Sequence, residues 1–148
     1  MESDRLHDTD GLPLRVLVVE DNPDGRETLR LLLELIGHDV VVASDGVDGV
    51  EKGLRWHPDV AVIDIGLPRL DGYEVARQLR RELGYSVFLI TQTGYGQPED
   101  RQRSLAAGFD VHLTKPVDPL ELATWLQTAG RRHAEQTRKG DPARAESG

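Results

Sequence analysis

The run Val60-Ala61-Val62-Ile63-Asp64 decides the fold. Its unbroken aliphatic stretch marks a strand of a parallel sheet that is covered on both faces. The same kind of run recurs on either side. Upstream lie Val16-Leu17-Val18-Val19 and Val40-Val41-Val42-Ala43. Downstream lie Val87-Phe88-Leu89-Ile90 and Val111-His112-Leu113-Thr114, the last being the least apolar and suited to an edge. Helix-period segments alternate with these runs. Asn22 and Pro23 form a helix start, with Asn as N-cap and Pro at the first helical position. Leu29, Leu32, Leu33 and Ile36 follow at i, i+3, i+4 and i+7, and Gly37 sits where a helix ends. Ser44 or Asp45 can cap a second helix bearing Val47, Val50 and Leu54, and Asp71 a third bearing Val75, Leu79 and Leu83. The stretch Gln97 to Ala107 reads as a weakly amphipathic fourth helix. Asp118, Pro119 and Glu121 start a fifth, with Leu122, Trp125, Leu126 and Ala129 on its buried stripe. Strands and helices in strict alternation give a doubly wound α/β sandwich.

In such a sheet ligands bind beyond the carboxyl ends of the strands, where the winding direction changes. The first strand ends in Glu20-Asp21 and the third in Asp64; the fourth is followed by Thr93 and the fifth by Lys115-Pro116. Clustered carboxylates repel one another unless a cation is present. Oxygen donors with neither His nor Cys nearby suit a hard ion, Mg²⁺ or Mn²⁺. A lysine and a hydroxyl beside such an ion stabilise the oxygens of a transferring phosphoryl group, and a carboxylate can serve as its nucleophile.

The composition is that of a folded domain. The chain has 148 residues, 38% hydrophobic and 30% charged, with a formal net charge of −8. A net-acidic chain is a poor general binder of nucleic acid. There is no cysteine, which excludes disulfides, thiolate metal sites and cysteine nucleophiles. The acidic N-terminus is no secretory signal and no run is long enough to cross a bilayer, so a cytoplasmic protein without membrane contact is expected. Residues 1–13 and 131–148 are polar and are expected to be disordered tails, the second a free end or linker, around a domain at 14–130. Arg131, Arg132, Arg138 and Lys139 read as a solvated tail, and His7, His38, His57 and His133 as surface residues.

The stretches Val18-Val19-Glu20-Asp21-Asn22, Asp64-Ile65-Gly66-Leu67-Pro68 with Asp71-Gly72, Thr93-Gly94-Tyr95 and Leu113-Thr114-Lys115-Pro116 resemble, in order and in place, the response-regulator receiver domain of two-component signalling. The resemblance covers about residues 14–130. It implies a flavodoxin-like (βα)5 sandwich with a parallel sheet in the order 2-1-3-4-5. It implies that Asp64 is the phosphorylated residue in a histidine-to-aspartate phosphorelay. Asp21, Glu20, Asp64 and the carbonyl of Gly66 would hold Mg²⁺ (or Mn²⁺), Thr93 and Lys115 would bind phosphoryl oxygens, and the Lys115-Pro116 bond would be cis. Phosphorylation would draw Thr93 inward and let His112 rotate, switching the face formed by the fourth helix, fifth strand and fifth helix. The domain would catalyse its own phosphorylation and dephosphorylation without being a turnover enzyme.

The implied partners are a histidine kinase or phosphotransfer protein and a downstream protein target, with no direct nucleic-acid contact; a homodimer is left open. Arg26, Leu29, Arg30 and Leu33 on the first helix are candidate kinase contacts. His112 stands where the family more often has Tyr or Phe, and Gln92 where it has a small or aliphatic residue, with no role assignable. Gly66 and Tyr95 occupy positions that tune hydrolysis of the aspartyl phosphate. Two other classes compete. A phosphatase of haloacid-dehalogenase type would need an acid two positions after Asp64, where Gly66 has no side chain. A transcription factor would need a DNA-binding module, for which the residues after 130 are too few, so the expectation is either a domain that acts alone through protein contacts or an excised piece of a larger chain. The Asp64 to Tyr73 pattern also resembles receivers attached to hybrid histidine kinases.

Overall fold

The computed structural model describes residues 13–94 and 98–138. Tyr95 and the tail expectations for 1–12 and 139–148 lie outside the described residues. Five strands, β1 (Arg15–Val19), β2 (Asp39–Ala43), β3 (Val60–Asp64), β4 (Phe88–Thr93) and β5 (Val111–Thr114), form one parallel sheet in the order β2-β1-β3-β4-β5. The helices between them are α1 (Pro23–Ile36), α2 (Gly46–Trp56), α3 (Gly72–Leu83), α4 (Pro98–Ala107) and α5 (Pro119–Arg138).

Alternation along each strand builds two cores. Val16, Val18, Val60, Val62 and Ile90 point to one face, where Leu29 and Leu33 of α1 and Leu122 and Leu126 of α5 cover them. Leu17, Val19, Ala61, Ile63 and Leu89 point to the other, against Tyr73, Val75, Ala76 and Leu79 of α3. Leu33 and Leu79 are fully buried, so truncating either to Ala costs about 2–5 kcal/mol.

The expected caps are in place. Asn22 accepts from the Gly25 N–H at 3.0 Å, Asp45 from Asp48, Asp71 from Glu74, and Asp118 from Leu120. Gly37 closes α1 at φ 114°, a left-handed conformation that side chains resist.

The structure departs from the sequence reading in four places. β4 continues past Ile90 through Thr91-Gln92-Thr93, all buried, because their polar groups find partners; Thr91 Oγ1 donates to the Ile63 carbonyl at 3.0 Å. α2 buries Gly46, Gly49 and Gly53, which let it lie close to Leu70, to Val19 of β1 and to Leu79 of α3, with the expected Val50 and Leu54 half-buried beside them, while Val47 faces solvent. His38 is buried, its Nδ1 accepting from the Leu14 N–H at 3.0 Å. α5 does not stop at 130 but runs to Arg138, so residues 131–138 are helix and not disordered tail. Its extra turns have anchors. The Arg132 guanidinium stacks 4.8 Å from the Phe88 ring centroid and reaches Asp110 Oδ1 at 3.4 Å, and His133 Nδ1 lies 3.4 Å from Asp59 Oδ1.

Candidate functional site

Because every strand runs the same way, the residue leaving each one falls at the same rim. The register brings them level: Val19 pairs with Ile63, Asp64 with Gln92, and Thr93 with Thr114. Glu20 and Asp21 follow β1, Asp64 ends β3, Thr93 ends β4 and Lys115 follows β5. One oxygen from each of Glu20, Asp21 and Asp64 lies within 4.8 Å of the others. Glu20 is 2% exposed and Asp64 8%, whereas Asp21 is open to solvent.

Lys115 bridges the buried pair. Its Nζ donates to Asp64 Oδ2 and to Glu20 Oε1, each at 3.2 Å. Glu20 Oε1 also accepts from Gln92 Nε2 at 3.2 Å, and Glu20 Oε2 from the Asn22 N–H at 3.1 Å. Arg26 Nη1 donates to the Glu20 carbonyl at 3.0 Å, tying α1 to the acidic loop. The Gly66 N–H approaches Asp64 Oδ1 at 3.4 Å. The start of α3 is fixed equally closely. A Cβ on Gly72 would stand 2.4 Å from the Asp64 carbonyl oxygen, so any side chain there displaces the end of β3 and its carboxylate.

The electrostatics follow from this crowding. Burial raises the Glu20 pKa above the usual carboxylate value, and the charge of Asp64 adds to it; the Asn22 N–H and Lys115 only partly oppose them. Burial works against the Lys115 ammonium, but the carboxylates of Asp64 and Glu20 outweigh it and hold its pKa above the ordinary value. The three-carboxylate donor set, all oxygen, fits a hard divalent cation. A cation among these oxygens relieves the repulsion that Glu20 registers.

The lysine and threonine are linked through the backbone. The Lys115 N–H donates to the Thr93 carbonyl at 2.7 Å, and the Lys115-Pro116 bond is cis. His112 is half-buried on β5, its Nδ1 2.9 Å from Ser104 Oγ of α4. The Ser104 hydroxyl donates to the Asp100 carbonyl at 3.0 Å, so toward the imidazole it accepts. His112 Nε2 is buried and has no hydrogen-bond partner among the described residues.

On α1 the candidate contacts divide. Leu29 and Leu33 belong to the core and offer nothing to a partner, a correction that follows from the face α1 turns to the sheet. The outward leucines are Leu31, 54% exposed, and Leu35, 83% exposed. Arg30 is held by Glu27 and Glu34. The residue that the sequence reading left without a role, Gln92, belongs to the site. Its only signal was an amide next to the rim of an otherwise apolar sheet.

A family model described as the response regulator receiver domain matches residues 16–127. An uncharacterised 14.6 kDa protein from the sodA1 3′ region of Leptolyngbya boryana is 41% identical over 113 residues, covering 76% of this chain and 86% of that protein. The transcriptional regulatory protein TrcR of Mycobacterium tuberculosis is 37% identical over 139 residues, 94% of this chain but 54% of its own length. The chain therefore spans about half of such transcriptional relatives, and the expected lack of nucleic-acid contact does not extend to proteins of their length. The crystal structure of the receiver domain of sensor histidine kinase PA1611 from Pseudomonas aeruginosa superposes with a TM-score of 0.74 at 33% identity, covering 80% of this chain and 98% of that one. That structure has a magnesium ion coordinated in its active-site cleft. Among the described residues, no helix is long and apolar enough to cross a membrane.

Proposed function

The chain belongs to the response regulator receiver domain family, whose members are phosphorylated on an aspartate in two-component signalling, and we propose that its phosphoacceptor is Asp64. Receiver domains take the phosphoryl group from histidine kinases and are signal transducers, not turnover enzymes; they bind Mg²⁺ in the acidic cluster that Glu20, Asp21 and Asp64 form here. The observation that carries the assignment is the bridge from Lys115 to Asp64 and Glu20, which sets one ammonium against the cluster of three carboxylates at the rim of the sheet.

In the proposed reaction a carboxylate oxygen of Asp64 attacks the phosphorus of a phosphohistidine. The O–P bond forms, the N–P bond breaks, and the imidazole leaves with the electron pair and takes up a proton. Lys115 turns from Asp64 Oδ2 to a phosphoryl oxygen, and the Thr93 hydroxyl donates to another. A bound Mg²⁺, held by Asp21, Asp64, Glu20 and the Gly66 carbonyl, supplies the positive charge that lets the anionic phosphoryl group approach the carboxylates. Mn²⁺ offers the same chemistry. The domain thus catalyses its own phosphorylation, and water reverses it. Thr93 and His112 transmit the change to the surface of α4, β5 and α5, where a downstream protein target or a second copy of the chain binds. The setting is cytoplasmic. Gly66 supplies no general acid, so nothing supports the phosphatase of haloacid-dehalogenase type.

The test is the intact mass after incubation with a small phosphodonor. Gain of one phosphoryl group with Mg²⁺, and none with chelator or in Asp64→Asn, is expected. No gain in the native chain with Mg²⁺ overturns the assignment.

A further inference from the structure

We propose that Gln92 is a positioning residue for the metal centre, holding the Glu20 carboxylate in place when the cation binds and displaces Lys115 from it. The proposal rests on the reading that Glu20, Asp21 and Asp64 hold the divalent cation.

Gln92 is 3% exposed, on β4, in register beside Asp64. Burying a primary amide there is costly unless its groups are hydrogen-bonded. Its Nε2 donates to Glu20 Oε1, the same oxygen that accepts from Lys115 Nζ, both at 3.2 Å. The two donors differ in freedom. Lys115 sits on a long stem, its side chain 36% exposed, and follows the end of its strand. Gln92 is packed within a central part of the sheet rim.

The role follows from what happens to Glu20 Oε1 when Lys115 moves. Glu20 is almost fully buried, so solvent is a poor replacement for a lost donor. Gln92 on Oε1 and the Asn22 N–H on Oε2 fix the rotation of the carboxylate without adding charge. Once Lys115 has left, each oxygen keeps a further lone pair for a cation. An aliphatic side chain at this position would leave Oε1 dependent on Lys115, the one donor that an arriving cation displaces.

The experiment is calorimetric titration of Mg²⁺ into the full chain, for the native protein and for Gln92→Met and Gln92→Leu, paired with phosphorylation rates across Mg²⁺ concentrations. Loss of one hydrogen bond to a charged ligand is expected to weaken Mg²⁺ binding roughly 3–10-fold. The maximal rate at saturating Mg²⁺ is expected to stay within about twofold, as for a residue that acts only on binding. Unchanged Mg²⁺ affinity overturns the proposal, as does a fall in maximal rate at unchanged affinity. A native chain that takes up no Mg²⁺ refutes the underlying metal site instead. Side-chain amide NMR of the native protein needs no variant: slowly exchanging Gln92 Nε2 protons that shift on adding Mg²⁺ support the role, and solvent-like resonances indifferent to Mg²⁺ overturn it.

Discussion

Lys115 Nζ and Asp64 Oδ2 lie 3.2 Å apart although 51 positions separate the residues in sequence. Parallel strands bring them together, and the same ammonium contacts Glu20. Before any cation or phosphoryl group arrives, Lys115 is the counterion of the acidic cluster.

Replacing that counterion exposes the repulsion it offsets. Lys115→Met is expected to destabilise the Mg²⁺-free protein by about 1–2 kcal/mol, given that the lysine is partly exposed. Added Mg²⁺ should restore most of the loss, while phosphorylation stays impaired. Thermal melts with chelator and with Mg²⁺ read this; a loss that Mg²⁺ leaves untouched contradicts it.

The elevated pKa of Glu20 sets a pH dependence. A carboxyl whose folded-state pKa exceeds its unfolded value contributes stability that is full below the unfolded pKa and is lost as pH rises through the folded pKa. At neutral pH the ionised Glu20 therefore costs stability in the Mg²⁺-free protein. Glu20→Gln should melt a few degrees higher than the native chain at pH 7 to 8 with chelator, and the gap should close in acid. It should also gain less from Mg²⁺. Lys115, with its pKa raised, keeps its contribution at every pH below its unfolded value and loses it only in alkali.

His112 and Ser104 couple β5 to α4, so a rearrangement at Thr93 should register at the imidazole. Beryllium fluoride with Mg²⁺ is expected to shift the His112 ring resonances in the native protein. In Thr93→Ala the mimic should still bind, but the His112 shift should largely vanish. An equal shift in both proteins would remove Thr93 from the switch.

The helical continuation of α5 gives a domain boundary beyond residue 130. A chain ended at Gly130 loses the Arg132 contacts with Phe88 and Asp110 and the His133 contact with Asp59. Melting is expected to show a loss of about 1–3 kcal/mol, the scale of one cation–π contact and partly buried ion pairs. Unchanged stability would make residues 131–138 a solvated extension, as their composition suggested.

The strand runs made the sheet legible because a fully covered strand must be apolar along its whole length, as Val60 to Ile63 is. The site was legible because each key residue leaves a strand at the same end. Three kinds of feature were not legible, for different reasons. Thr91 and Gln92 are buried yet polar, and only their partners across the sheet explain that. α2 packs through Gly46, Gly49 and Gly53 beside the half-buried Val50 and Leu54, and the glycines carry no hydropathy signal. Arg132 and His133 pack through a guanidinium stacked on an aromatic ring and an acid–histidine contact, and such side chains look like solvent-facing ones in a sequence.

Locating the phosphoryl group tests the assignment of Asp64 most directly. After phosphorylation by a small phosphodonor with Mg²⁺, borohydride reduction converts an aspartyl phosphate to homoserine, which peptide mass spectrometry places in the chain. Homoserine at position 64, absent when Mg²⁺ is withheld, is the predicted result. Homoserine at position 21, or a phosphoryl group retained on another residue with Asp64 intact, contradicts it.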